Sequence, residues 1–229
     1  MSARRTVAVI QARTGASRLP NKMLLALGGA PIVEWVWRRA SSARRLDAVV
    51  VAIPEGRGDE ALQEALRQLG AEVFRGSERD VLGRFRGAAA AHGATHVVRV
   101  CADNPFVDGA EIDRLVEFFL GRELDYAYNH VPKGNRYPDG LGAEIAPMAL
   151  VERMAREAQA PEEREHVFEF LWRRAAQFRI GTFDPPAALQ APELRLDLDT
   201  MDDYTGMLRR RPDIKMTAGE IVALFRKPL

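Results

Sequence analysis

The chain has 229 residues, 47% of them hydrophobic, and its 33 Lys and Arg nearly cancel its 32 Asp and Glu to leave a net charge of +1. That balance supports a sizeable core and excludes a disordered tail or a general nucleic-acid binder. The single cysteine, Cys101, excludes an internal disulfide and fits a reducing, cytoplasmic compartment. No apolar run reaches the length of a membrane span, and the N-terminus enters a strand without the pattern of a signal peptide. Neither a membrane nor a nucleic-acid partner is therefore expected.

Thr6–Ala12 is rich in β-branched residues and reads as a buried strand. Arg13 to Lys22 (RTGASRLPNK) is small, polar and basic, without helical periodicity. A loop leaving the N-terminal strand is where open α/β sheets bind ligands. Gly15 lets a ligand approach the backbone, and successive N–H groups can form an anion-binding concavity. The cations Arg13, Arg18 and Lys22 suit phosphate oxygens. The loop is neither a Walker A nor a GxGxxG sequence, so the residues alone leave open a polyphosphate site or a solvated basic turn.

Pro31 opens a helix to about Ala43, and Asp47–Ile53 is a continuous apolar strand. Gly58–Leu69 is amphipathic and ends at Gly70. Glu72–Phe74 is a short strand. Ser77 starts a helix to about Ala91, and His96–Cys101 is the next strand. Asp108, with Glu111 as its capping-box partner, begins a helix to Leu120. Strands alternating with helices imply a parallel sheet covered on both faces.

The middle differs. Leu124–Asn129 reads as a strand, His130–Leu141 as a loop too polar for the core, and Gly142–Ala146 as a short strand. Helices follow at Pro147–Glu157 and Glu162–Ala176, with strands at Phe178–Phe183 and Leu194–Leu198. Thr200 with Asp203, and Thr217 with Glu220, cap the last two helices. The chain reads as one domain, 1–229, with a mixed, mostly parallel sheet and 125–180 as an insertion or subdomain.

A polyphosphate site usually needs a divalent cation, and Mg²⁺ prefers one or two protein carboxylates with phosphate and water oxygens. Asp103 lies just past a predicted strand, at the expected ligand edge of the sheet; an Asx turn before Pro105 is the plain alternative. Asp197 and Asp199, two apart on a predicted strand, would share a face and call for a cation or donors; the plain alternative is that Asp199 belongs to the turn into the next helix and Asp197 is solvated.

Residues 8–22, AVIQARTGASRLPNK, resemble the opening of the CMP-sugar-acid synthetases, the family of the acylneuraminate and KDO cytidylyltransferases. The segments Glu72–Leu82, Tyr137–Leu141 and Arg164–Val167 are similar to the branch of the spore coat polysaccharide biosynthesis protein F type, and the likeness covers nearly the whole chain. Asp103 falls on the family's GDxP aspartate, and Asp199 on that of its VDTPED motif. The resemblance implies a three-layer α/β/α nucleotide-diphospho-sugar transferase fold, CTP as donor, Mg²⁺ as cofactor, and a homodimer joined through residues 125–180. It places Ala12 and Arg13 near the nucleotide and Ser17, Arg18 and Lys22 at the phosphates, with Arg75 and Ser77 as candidates for base or ribose. Asp103, Asp199 and the additional Asp197 become metal candidates, and Arg13, Lys22 and Asp103 the catalytic ones. The 130–166 segment should hold a sugar-acid-like acceptor, with Arg136, Asp139, Glu144 and His166 as candidates. Ala102 and Asn21 replace family glycines, and Met201 replaces a proline.

The implied reaction is attack by an acceptor oxygen on the α-phosphate of CTP. Two rivals stand beside it. One is a glycosyltransferase using Asp197-Leu198-Asp199 as a DxD metal motif. The other is a nucleotide-binding module without catalysis.

Overall fold

The computed structural model describes residues 3–228. Strand β1 (Thr6–Gln11) runs down the middle of the molecule, and its alternation sets the layers. Val7 and Val9 point into one core, Ala8 and Ile10 into another, and all four are fully buried. After β1 come a small hairpin, β2 (Ala26–Leu27) and β3 (Ala30–Pro31), and helix α1 (Ile32–Ser41), for which Pro31 is the N-cap. Then follow β4 (Ala48–Pro54), α2 (Glu60–Gln68), β5 (Glu72–Gly76), α3 (Val81–Ala91), β6 (His96–Cys101) and α4 (Gly109–Leu120). The chain continues through β7 (Tyr126–Tyr128), β8 (Glu144–Pro147), α5 (Met148–Glu157), α6 (Pro161–Glu165), α7 (Glu169–Arg173), β9 (Ile180–Gly181), α8 (Met201–Arg210) and α9 (Ala218–Arg226).

The main sheet has seven strands in the order β5-β4-β1-β6-β8-β7-β9. β1 pairs in parallel with both β4 and β6, and β8 alone runs against its neighbours. Helices α1, α2, α4, α8 and α9 bury their apolar faces on one side of the sheet, and α3, α5 and α7 on the other. This is the expected three-layer α/β/α arrangement. Strand order reverses at β1, so the carboxyl ends of β1 and β6 border a topological switch point, where such sheets bind ligands.

The segment 125–180 contributes β7, β8 and β9 to the same continuous sheet. Expectations about several single elements need correction. The predicted helix over 162–176 breaks into α6 and α7, because His166 is extended between them (φ −108°, ψ 104°). Leu194–Leu198 is extended but is not a strand. Its amide groups bond to loops: Leu196 to the carbonyl of Asp139 (2.9 Å) and Leu198 to that of Asp103 (2.7 Å). The helix assigned to begin at Ser77 begins at Val81; Asp80 is its N-cap, accepting from Gly83 N, while Ser77 Oγ accepts from Asp80 N.

Two further corrections concern buried polar groups. Asp108 does cap α4, but the Glu111 side chain turns away from it and accepts from the Tyr137 hydroxyl. Tyr137 is fully buried, so the 130–141 loop is pinned into the core it was thought too polar to enter. The capping boxes at Thr200 and Thr217 are present as expected.

Candidate active site

The loop after β1 is folded tightly by its own backbone. Asn21 N and Ala16 N both donate to the carbonyl of Thr14, at 2.9 Å each. Asn21 takes the left-handed conformation (φ 58°), the one a glycine usually supplies. Thr14 anchors the loop to the start of α2. Its amide donates to Asp59 Oδ1 at 2.7 Å, and its hydroxyl lies 3.0 Å from both Asp59 Oδ1 and Gly58 O. Asp59 is buried, and the sequence reading did not single it out.

This folding carries Lys22 inward. Lys22 is 8% exposed, and its Nζ donates to the Leu198 carbonyl at 2.7 Å, to Asp199 Oδ1 at 3.1 Å and to Asp103 Oδ2 at 3.4 Å. Arg18 Nη2 reaches the other oxygen of Asp199 at 2.8 Å. The bond from Leu198 N to the Asp103 carbonyl holds the two acidic segments together, so residues 81 positions and more apart meet at one cation. Gly140 allows this close packing. Its φ is +87°, and a Cβ there would lie 2.9 Å from Asp197 N.

Around these groups lies a cleft of about 300 Å³, within the size range of small-molecule sites. Ala12, Arg13, Ser17, Arg18, Lys22, Asp103, Asp199 and His166 line it. Arg13 Nη2 lies 3.8 Å from Glu165 across the opening. A recess of about 760 Å³ opens beside the cleft and shares Arg13, Val81 and Glu165 with it.

Other candidates lie elsewhere. Asp197 is bound by Arg195 at 2.7 and 3.1 Å, whereas Asp199 is bound by Lys22 and Arg18. Arg136 is exposed and paired with Asp184 at 2.8 Å, away from the cleft. Arg75 is tied back to Gln63 and to the Pro54 and Gly56 carbonyls, and Ser77 supports the start of α3; neither lines the cleft. Gly15 sits in open space beside it.

Glu144 lies in the wall behind the cleft, bound to Arg99 and to the Tyr126 hydroxyl. Burial alone would raise its pKa, but Arg99, His130 and Tyr126 together hold it below the ordinary range. Asp139 is half-buried at the rim. Burial, and then the charges of Asp197, Asp103 and Asp199, push its carboxyl up to about 6 against the pull of Arg195.

The cleft also has members that sequence reasoning missed: Gln11, Arg84, Arg99 and Glu165. Arg99 sits two residues before Cys101 on β6, and that spacing was the available signal for a shared face. Cys101 lines the cleft and is not simply a core residue. Burial raises its thiol to about 12 despite Arg99.

Among the described residues, no three or more His, Cys, Asp or Glu converge as a metal cage, and no helix is long and apolar enough to cross a membrane.

A sequence-family profile described as "Cytidylyltransferase" matches residues 7–208. The chain is 29% identical over 230 residues to the spore coat polysaccharide biosynthesis protein SpsF of Bacillus subtilis, covering 96% of this chain and 93% of that one. It is 35% identical over 122 residues to the 3-deoxy-manno-octulosonate cytidylyltransferase of Myxococcus xanthus, covering 52% and 48%. Its fold matches the structure of a cytidylyltransferase from Leptospira borgpetersenii with a TM-score of 0.87, at 24% identity over 99% of each chain.

Proposed function

The chain belongs to the cytidylyltransferase family and is a CTP-dependent nucleotidyltransferase, and from that premise we propose that it transfers CMP from CTP to a sugar acid or a related acceptor, releasing pyrophosphate, in surface polysaccharide synthesis. The observation that carries this reading is the convergence of Lys22 with Asp103 and Asp199 at the ends of β1 and β6. The names of the two relatives support the polysaccharide setting and the acceptor class.

In this reading Arg13, Arg18 and Lys22 hold the triphosphate and neutralise the charge that builds on the departing pyrophosphate. Ala12 and Arg13 lie beside the nucleoside end, and Gly15 and Ser17 add backbone N–H groups and a hydroxyl. Asp103 and Asp199 are the residues that would hold Mg²⁺. They fit it, because an ammonium group already sits between their oxygens, and two carboxylates completed by phosphate and water oxygens suit this ion. When bound, such an ion would polarise the α-phosphate.

The chain's own groups do the remaining work by positioning. Transfer of this type needs little covalent help once the acceptor oxygen is aligned. In this reading His166, which lines the cleft, and Asp139, whose carboxyl feels the charges of Asp103 and Asp199, bind the acceptor. Residues 125–180 supply its outer wall and the contact for a homodimer.

The test is incubation with CTP, Mg²⁺ and a panel of sugar acids, with pyrophosphate as the readout. Release of a nucleoside diphosphate from a nucleotide sugar, with no pyrophosphate from CTP, would overturn the proposal in favour of a glycosyltransferase.

A further inference from the structure

Arg84 is a buried cation at the corner between β5 and α3. It is 3% exposed, yet it lines the cleft. One side of its guanidinium is fixed, since Nη1 donates to the carbonyls of Ser77 and Glu78. Its Nε is buried and has no hydrogen-bond partner. Arg84 enters no ion pair among the described residues; Asp59, Glu78 and Asp80 act on it only at longer range. The strongest charge acting on it is a second cation, Arg13, whose only ion pair among the described residues is the 3.8 Å contact with Glu165. Two guanidinium groups thus share one cleft and repel each other.

The seat of Arg84 is shaped for it. A Cβ on Gly76 would lie 3.1 Å from the Arg84 Cγ, so the strand lacks a side chain where the arginine stem crosses it. Burying a charge without a direct ion pair is costly. An anion in the cleft would remove that cost and give Nε–H an acceptor.

We propose that Arg84 is a nucleotide-binding residue of this chain, gripping with Arg13 a phosphate group of the bound nucleotide. This rests on the nucleotidyltransferase reading of the cleft and adds to it a cation from outside the 13–22 loop. A guanidinium fork suits the task because it can bond the loop carbonyls on one edge and phosphate oxygens on the other.

If Arg84 served only to brace the Ser77–Glu78 turn, its loss would disturb nucleoside and nucleotide binding alike. Calorimetric titration of the full chain with cytidine, CMP, CDP and CTP separates the two roles. Arg84→Gln should weaken CTP about 10- to 100-fold, the usual worth of a hydrogen bond to a charged group, while cytidine affinity stays within about threefold. Arg84→Lys should recover part of the loss. Equal weakening of cytidine and CTP, or unchanged CTP affinity, would overturn the proposal. If Arg84→Gln does not fold, the same series on Arg84→Lys decides, because lysine keeps the stem and charge but loses Nε–H. If the wild-type chain prefers another nucleoside triphosphate, the series is run with that base. The assignment of CTP then fails while the role of Arg84 is still tested.

Discussion

The ammonium of Lys22 lies 3.1 Å from Oδ1 of Asp199, and the same nitrogen lies 3.4 Å from Asp103. One buried lysine thus bonds both carboxylates. A divalent cation would need the same oxygens, so lysine and metal would compete for them. Lys22→Met should therefore bind Mn²⁺ more tightly than the wild type without nucleotide, read by electron paramagnetic resonance. Its pyrophosphate release should fall by roughly 10²- to 10³-fold, the cost of losing a positioned charge. Equal Mn²⁺ affinity in the two proteins would refute the competition.

Asp103→Ala and Asp199→Ala should each lower pyrophosphate release from CTP by at least about 10²-fold. Circular dichroism should be unchanged, since both carboxylates lie at the cleft and not in the core. Full turnover in either variant would remove that residue from the metal site.

Asp197→Asn should retain activity within about threefold of the wild type, because the Asp197 carboxylate is engaged by Arg195, while Lys22 bonds Asp103 and Asp199. A loss as large as that of Asp199→Ala would restore the two aspartates to one metal motif.

How much of this was legible beforehand depended on how far each contact reaches along the chain. Strands β1, β4 and β6 are continuous apolar runs bounded by turn residues, and both late capping boxes are local patterns. Their positions follow from neighbours within a few residues. The loop after β1 and its partners Asp103 and Asp199 were recognisable because their motifs are short. The Asp197–Arg195 pair was not. Period-two alternation predicts a shared face for residues 197 and 199 only if the segment is a strand, and here its amide groups pair with loops at Asp139 and Asp103. Arg84 was hidden for a similar reason. Its environment is set by Ser77, Glu78, Gly76 and Arg13, and nothing about an arginine on an amphipathic helix signals burial beside a cleft. The break at His166 was missed because the helical pattern continues through it, while the backbone turns to bring that residue to the cleft.

Acid stability should decline from near neutral pH. Burial holds His130 below the usual histidine range, partly offset by Glu144, and burial with Arg4 does the same to His96. Both imidazoles protonate more readily in the unfolded chain. Their contribution is thus complete above pH 6.5 and is lost as pH falls from 6.5 through the lower folded values. Glu144, also depressed in the fold, adds a second loss below 4.5. Urea midpoints across this range should fall in the wild type, and His130→Gln should flatten the first part of the fall. An unaltered profile in that variant would show that His130 does not contribute.

Tyr137→Phe should cost about 1–3 kcal/mol by leaving the buried Glu111 carboxyl without its hydroxyl donor. At about 2–4 °C per kcal/mol for a chain of this size, a thermal melt should show the shift clearly. No change in melting would mean that Arg114, 3.5 Å from Glu111, satisfies the carboxyl alone.

The two-residue strand β9 closes one side of the sheet, pairing only Ile180 and Gly181 with β7. So short an outer rung gives an incoming chain almost no ladder to extend, and this protects a mixed sheet from edge-to-edge aggregation. At this edge, therefore, a second copy would have to associate through side-chain surfaces of helices and loops, and a homodimer would not form by extending the sheet across β9.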